Sequence, residues 1–196
     1  MTVARQGLGA FFRTLLDFVK EKGLLEQVRA KVSDETREKM LKPPSPLSWM
    51  ASKSIDEIQV AIGELAGRPL LVEFGALSAR AFGGSMIQPV IRAAFLLFGE
   101  TPAAAFANLD NFFTLATRGI SFRWRQVTGK EGVVEARFAG ADTPQAAFHV
   151  LQGSLQFVFE ISGAKGGEID PAEVVTGPDA GGNADVAIAR YRVRWT

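Results

Sequence analysis

Cysteine is absent from the 196 residues, and histidine occurs once. The first absence excludes disulfides, thiolate nucleophiles and cysteine-ligated zinc or iron–sulfur centres. The second leaves His149 without the clustered partners that a zinc or haem site draws on. His149 therefore reads as a surface or hydrogen-bonded structural histidine, and neither a metal nor a cofactor is expected. A dominant charge is also missing. The formal net charge is +1, so bulk electrostatics call for no nucleic-acid partner. Long apolar runs are missing too. Val90–Phe98 is too short for a transmembrane span and carries Arg92. The opening residues are interrupted by Arg13, Asp17 and Lys20, which a secretory signal would not tolerate. A cytoplasmic protein without a transmembrane segment is the expectation. There is no GxxxxGKS/T phosphate loop, and the glycines at 163, 166, 167, 181 and 182 lack a dinucleotide-binding context. Asp142, Glu160, Glu168 and Asp170 form no recognisable acid–base pair. No catalytic residue is assigned, and the chain reads as noncatalytic.

What is present is a hydrophobic content of 47%, enough for one sizeable core. The sequence centres on TPQAAFHVLQGSLQFVFEI, residues 143–161. Phe148, Leu151, Leu155 and Val158 recur at helical spacing, and Phe157 and Phe159 widen the apolar surface. This predicts a helix buried on more than one side, with Thr143 as its cap and Pro144 in its first turn. Gly153 sits mid-helix, where glycine costs about 0.5–1 kcal/mol relative to alanine. Either that cost is tolerated, or the glycine admits a second backbone.

Upstream, the pattern is helical. Helices are predicted over 8–22, 24–31, 33–41, 55–65, 70–82 and from Ser85 to Phe98, with a last one over 102–118. Ser54 with Glu57, and Ser85 with Gln88, have capping-box spacing. Gly67–Pro69 and Gly83–Gly84 break the pattern, and the PPSPLSW stretch at 43–49 reads as a packed loop. LLVEF, within 70–82, fits a strand as well as a helix.

The period changes after Gly119. Residues 120–128 and 132–139 alternate as two strands of a hairpin. A short strand over 168–176 and a terminal strand over 184–195 follow the central helix. The fold class is α+β: an N-terminal helical layer and a C-terminal antiparallel sheet with a buried intervening helix. We expect one domain over 1–196, mainly helical over 1–118 and strand-rich over 119–196.

Two clusters are candidate sites. Phe106, Phe113, Phe148 and Leu155 could line an apolar cavity between helices, or fill the core completely. Strand alternation can put Arg123, Arg125, Arg137, Arg190, Arg192 and Arg194 on one sheet face, if strand adjacency and register permit. Such a face could hold an anionic ligand or an acidic partner, or be a solvated surface balanced by Glu135 and other acids.

The segments RAFGGSMIQPV, FHVLQGSLQFVFE and ADVAIARYRVRW, with the hairpin after Gly119, resemble a myxobacterial family of uncharacterised proteins, DUF2378. The resemblance covers most of residues 8–195. The element order is also similar to the ligand-binding fold of vinyl-4-reductase-like domains, haem nitric-oxide-binding (H-NOX) domains and vesicle-tethering subunits. The resemblance implies a noncatalytic regulatory or scaffold domain, a homodimer or the partner of a signalling protein. The alternative it implies is a sensor or carrier of a small hydrophobic or anionic ligand. It transfers no metal chemistry. His149 does not match the proximal histidine of the haem branch, and the cysteines used by the other branches are absent.

Overall fold

Strand β1 (Gln6–Leu8) runs directly into helix α1 (Gly9–Glu21). Phe12, Leu15, Leu16, Phe18 and Val19 of α1 are buried, so its apolar stripe faces the core as the spacing requires. Helices α2 (Leu25–Lys31) and α3 (Asp34–Leu41) follow. The Ser33 hydroxyl caps α3 by accepting the Thr36 N–H at 3.4 Å. Arg13 donates to the carbonyls of Pro44 and Pro43 at 2.8 and 3.0 Å and so fastens the proline loop to α1. The loop ends in β2 (Trp49–Ala51), which carries Met50 into the core.

Helix α4 spans Lys53–Phe82 and contains a kink at Gly67, where φ is 76°. Only glycine adopts that backbone cheaply, and Pro69 then starts the second segment. LLVEF is therefore helical. The Ser54–Glu57 capping box does not form. The Ser54 hydroxyl instead accepts Lys39 Nζ at 3.1 Å, and Glu57 accepts the backbone N–H and hydroxyl of Ser33 at 2.9 and 2.7 Å. Tertiary partners on α3 capture both side chains.

The structure, a computed structural model, describes residues 4–82, 88–178 and 185–196. The expected Gly83–Gly84 break and the capping role of Ser85 lie outside the described residues. Helix α5 (Gln88–Phe98) is followed by α6 (Pro102–Ala107), which Thr101 caps by accepting the Ala104 N–H at 3.2 Å. A separate short helix, α7 (Leu109–Phe113), comes next. The single helix expected over 102–118 is thus divided and ends early. Asn108 breaks it by donating its side-chain amide back to the Ala104 carbonyl at 2.8 Å. Asp110 then accepts the Phe122 N–H at 2.8 Å and ties α7 to the sheet. The chain turns into β3 (Thr117–Arg118), completing a small antiparallel sheet of order β2-β1-β3.

The larger sheet contains β4 (Ile120–Thr128), β5 (Glu131–Ala139), β6 (Gly167–Ile169), β7 (Glu173–Pro178) and β8 (Asp185–Trp195). Its order is β4-β5-β8-β6, and β7 also pairs with β8, all antiparallel. The strand expected near 168–176 is two strands around Pro171, which cannot donate to a ladder. Phe122, Val134, Phe138, Ala189 and Tyr191 point to the buried face.

Helix α8 (Gln145–Ile161) lies on that face and also contacts the helical layer. The Tyr191 hydroxyl donates to the Phe148 carbonyl at 2.8 Å, joining β8 to α8. Thr143 does not cap α8. Its hydroxyl donates to the Gly140 carbonyl at 2.9 Å, and extended Pro144 holds the cap position. On its other side α8 crosses the second segment of α4. A Cβ on Gly153 would overlap the Val72 carbonyl oxygen, and one on Gly75 would overlap that of Val150. The mid-helix glycine therefore admits a second backbone.

Candidate functional site

The helical layer and the sheet unit meet along a seam, and two cavities lie in it. The outer cavity is about 80 Å³ and overwhelmingly apolar. Phe11 of α1, Phe82 of α4, Phe113 of α7, and Phe157 and Ile161 of α8 form most of its wall. The inner cavity is also about 80 Å³. It adjoins the first, since Phe11, Phe113, Thr117 and Ser154 line both. Its polar lining includes Arg5, Asp56 and Gln59, with Gln6, Ser52 and Arg118. Arg5 donates to both carboxylate oxygens of Asp56, at 3.2 and 2.6 Å. Burial raises the Asp56 pKa above the ordinary carboxylate range, against the opposing pull of Arg5.

Of the four apolar residues singled out from sequence, Phe113 lines both cavities. Phe106, Phe148 and Leu155 line neither and pack in the core between α8 and the sheet. Phe106 stacks on Trp124 with ring centres 5.1 Å apart, and Phe148 meets Phe138 edge-on at 5.0 Å. These rings fill space rather than enclose it. Gln59 escaped the sequence reading. The signal was there, because a polar residue occupies the inward stripe of Ile55, Ile58 and Ile62.

The six arginines do share the outer sheet face. Arg123, Glu135 and Arg190 are partners in one row across β4, β5 and β8. Glu135 accepts from Arg137 and Arg190, each at 3.0 Å. Burial pushes the Glu135 carboxyl up, but the hydrogen bonds from Arg190 and Arg137 outweigh it and hold the pKa below the ordinary range. Arg192 pairs with Glu131 at 3.7 Å, and Arg194 pairs with Asp170 at 2.9 Å and Glu168 at 3.4 Å. Arg123 and Arg125 are exposed and have no acidic partner among the described residues. The face is thus largely neutralised by its own acids.

His149 sits half-buried on α8, away from both cavities. Its Nδ1 is buried without a hydrogen-bond partner, and burial followed by the charge of Arg68 lowers its pKa. Among the described residues no group of three or more histidine, aspartate or glutamate side chains could hold a metal ion.

No family profile matches the sequence, and no curated protein matches it. Solved structures do. The H-NOX protein of K. algicida, in its Fe(II) unliganded form, matches with a TM-score of 0.64 over 96% of both chains at 12% identity. An oxygen-binding H-NOX domain related to soluble guanylate cyclases matches with a TM-score of 0.58, over 96% of this chain and 94% of the other, also at 12% identity. A mutant of the T. tengcongensis H-NOX matches with a TM-score of 0.56 over 96% and 97% at 14% identity. The chain has the H-NOX fold.

The residues in the seam do not fit a haem. Haem iron takes histidine, cysteine, methionine or tyrosine ligands. Cysteine is absent, the one histidine lies outside both cavities, and no methionine among the described residues lines either. The one tyrosine, Tyr191, is buried and committed to the Phe148 carbonyl. Neither seam cavity, about 80 Å³ each, approaches the roughly 300–1,000 Å³ of a cofactor site. An open groove of about 730 Å³ adjoins the Arg5–Asp56 pair, but among the described residues its lining contains no histidine, cysteine, methionine or tyrosine.

Proposed function

We propose that the chain is a haem-free, noncatalytic regulatory domain that senses or carries a small, mainly apolar ligand in the seam. The observation that carries this reading is the pair of adjoining cavities where the helical layer meets the sheet unit. A ligand there would touch α1, α4, α7 and α8 together, so its binding would bias how the two layers sit. Oxygen binding by an H-NOX domain of the same fold supports a ligand-sensing role by analogy. The anionic alternative rests on Arg123 and Arg125. It is the weaker reading because the other four arginines already have acidic partners.

A homodimeric scaffold, or one that docks on a signalling protein, is the second reading. It is favoured by adjacent Leu96 and Leu97 on α5, which are 88% and 77% exposed. No helix among the described residues is long and apolar enough to cross a membrane. We place the protein in the cytoplasm and, on the segments quoted above, with the myxobacterial family.

Native mass spectrometry of gently purified protein, followed by denaturing mass analysis, tests both readings. The sensor reading predicts a discrete extra mass that is lost on denaturation. A dimer without extra mass would replace it with the scaffold reading, and a bare monomer would oppose both.

A further inference from the structure

The inner cavity contains a group that the fold leaves unused. Gln59 is only 3% exposed, and its side-chain oxygen has no hydrogen-bond partner among the described residues. Buried amides are nearly always satisfied, so an orphan lining a cavity points to a partner supplied from outside the chain. The surroundings limit what that partner can be. Arg5 and Asp56, beside Gln59 at the polar end, neutralise one another through two hydrogen bonds. Arg118 also lines the inner cavity, but it is exposed, lies over the Trp49 ring at 4.0 Å and donates to Gln6 at 3.5 Å. At the Arg5–Asp56 end a charged head group would lose its hydration without gaining an unpaired counter-charge. A neutral head group loses far less. The amide can present either its oxygen or its NH₂, and a hydroxyl can donate to one or accept from the other.

The rest of the space is mainly apolar. The inner cavity shares Phe11, Phe113, Thr117 and Ser154 with the outer cavity, which Phe82, Phe157 and Ile161 complete. The Ser154 hydroxyl is already engaged, donating toward the Gly75 and Val150 carbonyls at 3.1 Å each. The Thr117 hydroxyl likewise donates to the Phe113 carbonyl at 3.0 Å. Among the described residues lining this space, Gln59 is the one with a buried side-chain atom that has no hydrogen-bond partner.

We propose that the seam selects a short aliphatic alcohol, with its hydroxyl on the Gln59 amide and its chain along the outer cavity. This rests on the ligand-sensing reading and adds the chemistry of the head group.

The test titrates the whole chain with 1-pentanol and, separately, with 1-chloropentane, which has the same chain and no hydroxyl. Binding is followed by NMR through shifts of seam residues and of the Gln59 side-chain amide. The expected result is saturable binding of both, with the alcohol roughly tenfold tighter, the value of one well-made hydrogen bond. The Gln59 side-chain signals should move with the alcohol and not with the chloride. Gln59→Leu, which leaves no orphan behind, should abolish the preference while keeping chloride binding. Gln59→Met repeats the comparison should the leucine variant fold poorly. Equal binding of the two compounds to the wild type would overturn the head-group assignment and leave the apolar seam standing. Saturable binding of neither would overturn both.

Discussion

His149 shows how one half-buried ring couples this fold to pH. Its pKa lies below the ordinary imidazole value because burial, and then Arg68, disfavour the charged form. Above about pH 6.5 the ring is neutral in both folded and unfolded chains and affects stability little. As the pH falls below that value, the unfolded chain takes up a proton that the folded chain resists. Stability is therefore lost progressively down to the lowered folded pKa. His149→Leu should remove this loss. Urea unfolding at pH 7.5 and pH 5.5 should show the wild type losing ground to the variant on acidification. An unchanged difference would show that the ring titrates normally in the folded protein. The sequence singled out His149 because it is the only histidine. Whether its neighbours were acids or Arg68 depended on how α8 packs. Gln59 is the reverse case. Its place in the Ile55, Ile58 and Ile62 stripe was readable, but its lack of a partner was not.

At the scale of elements, the contact between α4 and α8 governs how closely the two layers approach. Gly75 and Gly153 bring the helix backbones together, each occupying space that a Cβ would take from the opposing carbonyl. Gly153→Ala gains about 1 kcal/mol of helix propensity. It must also push the helices apart, and overpacking of that kind costs about 1–3 kcal/mol or more. We expect net destabilisation, read as a lower urea midpoint with an unchanged slope. A stabilised variant would show that the crossing yields easily. Helices and strands themselves were largely legible, because 3.6-residue and two-residue periods survive in α1, α8, β4, β5 and β8. Local capping signals were less reliable. Ser54, Glu57 and Thr143 have the right chemistry at the right spacing, yet partners outside their own first turn take them. Asn108 divided an otherwise smooth helical pattern by a local route instead, through a side-chain hydrogen bond to the Ala104 carbonyl four residues back.

For the molecule as a whole, the H-NOX fold and the chemistry of its seam point in different directions. The fold is shared over nearly the full chain, while the two seam cavities lack the volume for haem, and neither they nor the groove beside Arg5 is lined by a ligand for its iron among the described residues. Protein titrated with haemin should therefore show no saturable one-to-one shift of the Soret band. A stoichiometric shift with strong axial ligation would mean that the seam opens much further and recruits a ligand from elsewhere in the chain.

The sequence by itself determined the fold class, the alternation that puts the arginines of each strand on one side, and the exclusion of cysteine chemistry. Each follows from residue type and local period, which act over a few neighbours along the chain. Strand pairing decided that the three strands' arginines share a face. Tertiary structure alone decided which side chains pack and which enclose space. Phe106 and Phe113 occupy equivalent positions in the helical pattern, yet one stacks on Trp124 and the other walls two cavities. It also decided that Arg137 and Arg190 share Glu135 and that Gln59 faces a void. Cavities and ion pairs arise where residues distant in sequence come together, and no local period encodes that meeting.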